Sequence, residues 1–211
     1  MGRSIRRDTV ETIIEETGSG KGIYEYDLEE NARLTAVLVV SRETDADIII
    51  HVRLLGRGAQ ANVIALVRGS GDNHISLHTK QLHKAPETTS NLLVKSALRD
   101  NAKFAYDGVI RVEPVAQKTD AYQKNENLFL SGGPQAQSDP ALEILANDVR
   151  CTHGSTTGKL SEDHFWYLAS RGISRPAAMQ LLVEGFFEYV ISTISDTISR
   201  EKIRRALWRV T

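Results

Sequence analysis

The chain has 211 residues, 41% hydrophobic and 25% charged, the proportions of a soluble globular protein large enough to bury a core without disulfide staples. Lys and Arg number 26 against 27 Asp and Glu, a net charge of −1 that excludes a general nucleic-acid binder relying on excess positive charge. The single cysteine excludes an internal disulfide and any Cys-x-x-Cys metal knuckle within one chain, and no apolar run approaches the ~18 residues of a membrane helix.

At the start, Met1 to Arg7 is basic, but acidic residues follow and no apolar h-region does, so it does not read as a signal peptide. Arg6 stands where a myristoylation signal needs Ser or Thr. The expected location is the cytoplasm. Gly18-Ser19-Gly20-Lys21-Gly22 is glycine-rich like a phosphate loop but fails the Gly-x4-Gly-Lys-Ser/Thr pattern, and no helix follows it. It is read as a flexible turn.

From about Thr9 to about Arg150 the chain is a succession of short β-patterned runs. In chain order these are Gly22–Leu28, Ala32–Val40, Asp47–Leu55, Ala61–Val67, Asn73–Thr79, Asn91–Val94, Phe104–Val112, Asn127–Leu130 and Leu142–Leu145. Tyr24/Tyr26/Leu28 and Ile75/Leu77 alternate, as half-buried strands do. Val37-Leu38-Val39-Val40 and Ile48-Ile49-Ile50 are continuous, the pattern of strands covered on both faces. Helical periodicity is nearly absent here, which argues against a βαβ sheet with helical crossovers. A sandwich, a barrel or a parallel solenoid is left. The hairpin chemistry is weak: Asn-Gly does not occur, and the one Asp-Gly, Asp107-Gly108, sits inside an apolar run. That favours a parallel β-helix (solenoid), although no strict repeat marks its coils.

After Gly158 the pattern becomes helical. Ser161 is a hydroxyl N-cap followed by Glu162 and Asp163, then Phe165, Trp166 and Leu168, with Gly172 at the stop. Ser174 caps a second helix with Pro176 in its first turn. Its apolar stripe is Met179, Leu182, Val183, Phe186, Phe187, Val190 and Ile194. A third segment, Arg200–Arg209, sets Ile203, Leu207 and Trp208 on one side. The expected organisation is mainly β: a β-helix core over 1–158 and a small C-terminal α-helical subdomain over 159–211.

Several motifs occur together and in order. Gln117-Lys118-Thr119-Asp120-Ala121-Tyr122-Gln123 precedes Asn127-Leu128-Phe129-Leu130-Ser131 and Pro140-Ala141-Leu142-Glu143-Ile144. Asn147-Asp148-Val149-Arg150-Cys151-Thr152-His153-Gly154-Ser155-Thr156 follows, then Phe165-Trp166-Tyr167-Leu168 and Ser170-Arg171-Gly172-Ile173. Upstream stands His83-Lys84-Ala85-Pro86 with Thr88 and Ser90. This stretch, roughly 73–187, resembles the core of the SufB/SufD family, the scaffold subunits of the SUF iron–sulfur cluster assembly machine.

The Cys-x-His-Gly segment resembles SufD-like members, and no counterpart of the second cysteine-bearing segment of SufB-like members is found. The resemblance implies a parallel β-helix with a helical subdomain. It also implies edge-to-edge pairing with a second SufB/SufD-like chain, or with itself as a homodimer, and docking of a SufC-type ABC ATPase on the helices. Typical members are longer, so the chain reads as a short form lacking their N-terminal helical region.

Cys151 and His153 are the candidate metal contacts. Residues i and i+2 of an extended segment point to one face, where a thiolate and an imidazole converge on iron. A cluster needs about four protein ligands, so one thiol per chain places any cluster between chains, held transiently and released. The competing structural reading makes Cys151 a small buried hydrophobe and His153 a hydrogen-bonded strand residue. His74 and His78 share a strand face with Ser76 and read as surface or turn histidines, while Ile75 and Leu77 point inwards. His83 reads as part of a turn. His51 and His164 carry no assignment.

Phe165, Trp166, Phe186, Phe187 and Trp208 read as packing against the β-body, with part of that surface available to the ATPase. The function expected from all this is a non-enzymatic scaffold for iron–sulfur cluster assembly. Two alternatives stand beside it: a structural SufD-like partner that docks the ATPase without metal, and a polysaccharide-active β-helix enzyme, for which no catalytic constellation is evident. No Gly-x-Ser-x-Gly elbow frames a nucleophile either.

Overall fold

The structure, a computed structural model, describes residues 2–17, 19–40 and 44–208. Gly18 of the glycine-rich turn and Arg209 of the third helical segment lie outside them. In chain order the elements are β1 (Gly2–Ile5), β2 (Val10–Glu16), β3 (Gly20–Leu28), β4 (Arg33–Val40), β5 (Ala46–Leu54) and β6 (Gln60–Gly69). Then come β7 (His74–His83), β8 (Thr89–Leu98), β9 (Lys103–Val112), β10 (Thr119–Phe129), β11 (Gln135–Ile144) and β12 (Val149–Lys159). Three helices follow among the described residues: α1 (Glu162–Ser170), α2 (Arg175–Ile191) and α3 (Thr197–Trp208).

Odd strands form one sheet, β1-β3-β5-β7-β9-β11, and even strands the other, β12-β10-β8-β6-β4-β2. Every pairing is parallel. This is the parallel β-solenoid the sequence pointed to. Parallel strands usually need helical crossovers. Here each strand returns through the opposite sheet, so no helix is required.

The coils are not of equal length. The in-register step grows from 23 residues (Gly2 to Glu25) to 32 (Lys103 to Gln135), which blurs the period in sequence. The repeat survives in the backbone. Asp8, Asn31, Gly58, Glu87 and Lys118 occupy the same corner of successive coils, all with φ between 55° and 72°. The amide of each donates to a carbonyl in the next coil: Asp8 to Glu30, Asn31 to Arg57, Gly58 to Pro86, Glu87 to Gln117 and Lys118 to Asp148. A small residue follows each corner, and Ala32, Ala59, Thr88 and Thr119 are buried.

Only one of the five corners is glycine. The left-handed region costs an ordinary L-residue about 1–2 kcal/mol, and glycine avoids that at some loss of unfolded-chain entropy. Lys118 is exposed, so Lys118→Gly is expected to stabilise the protein by about 0.5–1 kcal/mol in urea unfolding. An unchanged or lowered midpoint would contradict this account of the corner.

Ile48, Ile50, Val52, Leu54, Val63, Ala65, Leu77, Leu92 and Val94 fill the lumen of the middle coils. The outer face of the even sheet is also apolar. Val37, Val39, Ile64, Leu66 and Ala97 pack against Val183, Phe187, Val190, Ile191 and Ile194 of α2 and its C-terminal turn and Ile203, Ala206 and Leu207 of α3. This explains the continuous run at Val37–Val40. Ile48-Ile49-Ile50 differs: among the described residues no helix covers the odd sheet in this way, and Ile49 is only half-buried on its outer face.

α1 starts as its cap dictates, while Ser174 stands at the N-cap of α2 without a side-chain capping bond. Ser161 Oγ accepts from the Asp163 amide, and Gly172 with φ 79° ends α1. α3 begins at Thr197, three residues before the expected start. Asp196 accepts from the Ser199 hydroxyl and from the amides of Ser199 and Ile198, and these bonds hold its carboxyl below the usual carboxylate range. Trp166 does not pack: it is 73% exposed, beside exposed Tyr167. Among the described residues no helix is long and apolar enough to cross a membrane.

Candidate functional site

The last coil is where the solenoid stops. β12 pairs with β10 and β11 with β9, and among the described residues no strand covers the far edge of either. β12 lies in register with β10, so Cys151 is level with Ala121, His153 with Gln123, Ser155 with Asn125 and Thr157 with Asn127. The β10 residues of these pairs are all buried in the lumen. Adjacent parallel strands share their pleat. Cys151 and His153 therefore lie together on the lumen side of β12, where no further coil among the described residues covers them.

Their environments differ. Cys151 is half-buried against the cluster of Ile110, Val112, Ala116, Ala121 and Ala146. Burial raises its thiol pKa, and the Asp120 carboxylate adds to the rise, while a hydrogen bond from the Ala121 backbone opposes it. The thiol is therefore protonated at neutral pH, and a metal at this position would have to displace that proton. His153 is exposed. Among the described residues no group of three or more His, Cys, Asp or Glu side chains is placed to hold a metal ion. A thiol and an imidazole at an open end supply two of the about four donors a cluster takes. The donor set fits a shared group, not a self-contained one.

The other histidines fall elsewhere. His78 lies on the outer face of the odd sheet, with Nδ1 2.9 Å from Asp107 and Nε2 3.6 Å from Asp47. His74 is exposed on the same strand, and Ile75 and Leu77 point inwards as expected. His83 corrects the reading as a turn residue: it ends β7 and is fully buried in the lumen. Its Nδ1 is 2.7 Å from Thr88 Oγ1 and its Nε2 2.8 Å from Ser90 Oγ. Gln81 Nε2 donates to that same Ser90 Oγ, leaving the serine hydroxyl to donate to His83 Nε2 and the ring proton on Nδ1. Burial lowers the His83 pKa to about 4. The His-Lys-Ala-Pro segment with Thr88 and Ser90 is thus a structural clasp across the lumen.

The polar lumen near the open end went unread in the sequence. Asn125 and Asn127 bond each other, Ser138 donates to Asn125 Oδ1 at 2.5 Å, and Asn127 Nδ2 donates to Thr157 Oγ1 at 3.2 Å. The signal was the alternation Gln123-x-Asn125-x-Asn127 continuing the inward phase of Ala121.

The model of the SufBD core domain of SUF system FeS cluster assembly matches residues 21–186. The chain belongs to the SufBD family. Membership agrees with the resemblance read from the motifs. Among curated relatives, an iron–sulfur cluster assembly SufBD family protein of Mycobacterium leprae is 34% identical over 165 residues, 74% of this chain and 42% of the relative. A SufBD family protein of Mycobacterium tuberculosis is 32% identical over 164 residues, covering 74% and 41%. The iron–sulfur cluster assembly protein SufD of Escherichia coli is 31% identical over 121 residues, covering 57% and 29%. The chain thus spans about two fifths of the length of the mycobacterial relatives.

Proposed function

We propose that this SufBD chain is a non-enzymatic scaffold subunit for iron–sulfur cluster assembly, and that Cys151 and His153 meet iron and sulfide at a contact between two chains. The observation that carries this reading is the open terminal coil, with a thiol and an imidazole on the lumen side of its last strand. A second copy, or a second SufB/SufD-like chain, supplies the remaining ligands. Incomplete ligation by each chain suits a cargo that must leave.

In this reading a SufC-type ABC ATPase docks on the helical subdomain, 159–211. Exposed Trp166, Tyr167 and Tyr189 supply aromatic surface for it. ATP-driven closure of the ATPase pair draws two subdomains together and shifts the two β-helices, 1–158, against each other.

Anaerobic reconstitution with iron and sulfide, with and without the ATPase, tests the assignment. The wild-type chain gains cluster absorbance, while Cys151→Ala and His153→Ala each lose most of it. Equal gain by both variants would remove the site. A second reading is favoured by the apolar packing of Cys151: a structural SufD-like partner that holds the ATPase without touching metal. Intact assembly and undiminished cluster formation in the Cys151/His153 double variant would select it.

A further inference from the structure

We propose that the solenoid lumen at the level of β9 and β10 holds ordered water, bound by the side-chain amides of Gln123 and Gln81. Gln123 is 0% exposed and Gln81 1%. Gln123 Oε1 and Nε2 have no hydrogen-bond partner among the protein atoms, and neither has Gln81 Oε1. Such a group has lost its hydration with nothing in return, and native interiors leave few of them so.

The neighbouring side chains already have partners, and the Thr79–Tyr106 pair keeps one hydroxyl proton to spare. Ser90 Oγ serves Gln81 Nε2 and His83 Nε2. Thr79 Oγ1 and the Tyr106 hydroxyl bond each other at 3.1 Å. Asn125 and Asn127 satisfy each other and Ser138.

Gly108 shows how the space is made. A Cβ there would overlap both the Gln123 amide nitrogen and the Tyr106 hydroxyl. A glycine in the middle of β9 therefore lets these polar groups enter the lumen, which explains the Asp-Gly inside an apolar run. Thr79, two residues before Gln81 on β7, is the register partner of Gly108, so Gln81 stands one coil back from the Gln123 amide and two residues further along. The two amides need a partner that donates to two carbonyl oxygens and accepts from an amide N–H. Water does both and is small enough for a packed interior. The register neighbour of Gln123 towards the open end is His153, so this hydrated layer lies one coil inside the candidate site.

A crystal structure of the full chain that resolves ordered solvent is the test. The expected density is a water about 2.7–3.2 Å from a Gln123 amide atom, with a further contact to Gln81 Oε1 directly or through a second water. A dry layer in which the Gln123 amide bonds directly to the Tyr106 hydroxyl or the His153 ring would overturn the proposal. In crystals of Gln123→Leu the density at that position disappears. Density persisting there unchanged would assign the water to other groups and overturn the role of Gln123.

Discussion

Replacing Phe187 by Ala is expected to cost about 4 kcal/mol of stability, the upper range for truncating a buried aromatic. The ring is fully buried between the even sheet and the helices. It packs edge-on against Phe186 at 5.2 Å and Trp208 at 6.2 Å between ring centroids. Its loss leaves a hole facing Val37, Ile64 and Leu66, where a stacked sheet cannot collapse to fill it. Urea unfolding followed by tryptophan fluorescence reads the change. A cost below ~1 kcal/mol would show that the helices do not depend on this contact for their place on the sheet. This layer is the main apolar contact between α2, α3 and the even sheet.

Acid is expected to remove about 3 kcal/mol of stability through His83 alone. The side chain titrates at about 6.5 in the unfolded chain, and burial depresses it to about 4 in the fold. The depressed value means the folded state resists protonation. The contribution is therefore complete above pH 6.5 and is lost as pH falls towards 4, at about 1.4 kcal/mol per pH unit. Between pH 6.5 and 5, above the range of most carboxylates, a loss of about 2 kcal/mol is expected from this group. His83→Leu removes the titrating ring. It is less stable at pH 7, because Thr88 loses a partner, but its profile over that interval is flatter. A variant keeping the wild-type slope would show that another group drives the acid response.

The legible parts of the molecule are those where one residue's chemistry sets the outcome. The inward phase at Tyr24/Tyr26/Leu28, the caps at Ser161 and Gly172 and the doubly buried run at Val37–Val40 all read correctly from local pattern. The missed strands share a cause. β1 and β2, and β12 outside the extended Cys151–His153 segment, lie at the ends of the sheets, where a strand need not be apolar on either face. β11, recognised only at its apolar end, carries Pro140, tolerated because an edge strand leaves backbone groups outside the ladder. The coil repeat escaped because it is written in a left-handed backbone corner that Asp, Asn, Gly, Glu and Lys all occupy.

The same division runs through the candidate site. Cys151-x-His153 could be paired on one face from the period of a strand, and the family from motif order. That β12 ends the solenoid, leaving the pair uncovered, depends on what lies beyond that strand in space. Local sequence alone determined alternation, capping and the number of thiols, since these need only a residue and its near neighbours. Whether a polar side chain ends in a lumen, as with His83 and Gln123, or in solvent, as with His78, was decided by the stacking of coils about 30 residues apart. Burial is a property of that stack, and no short stretch of chain contains it.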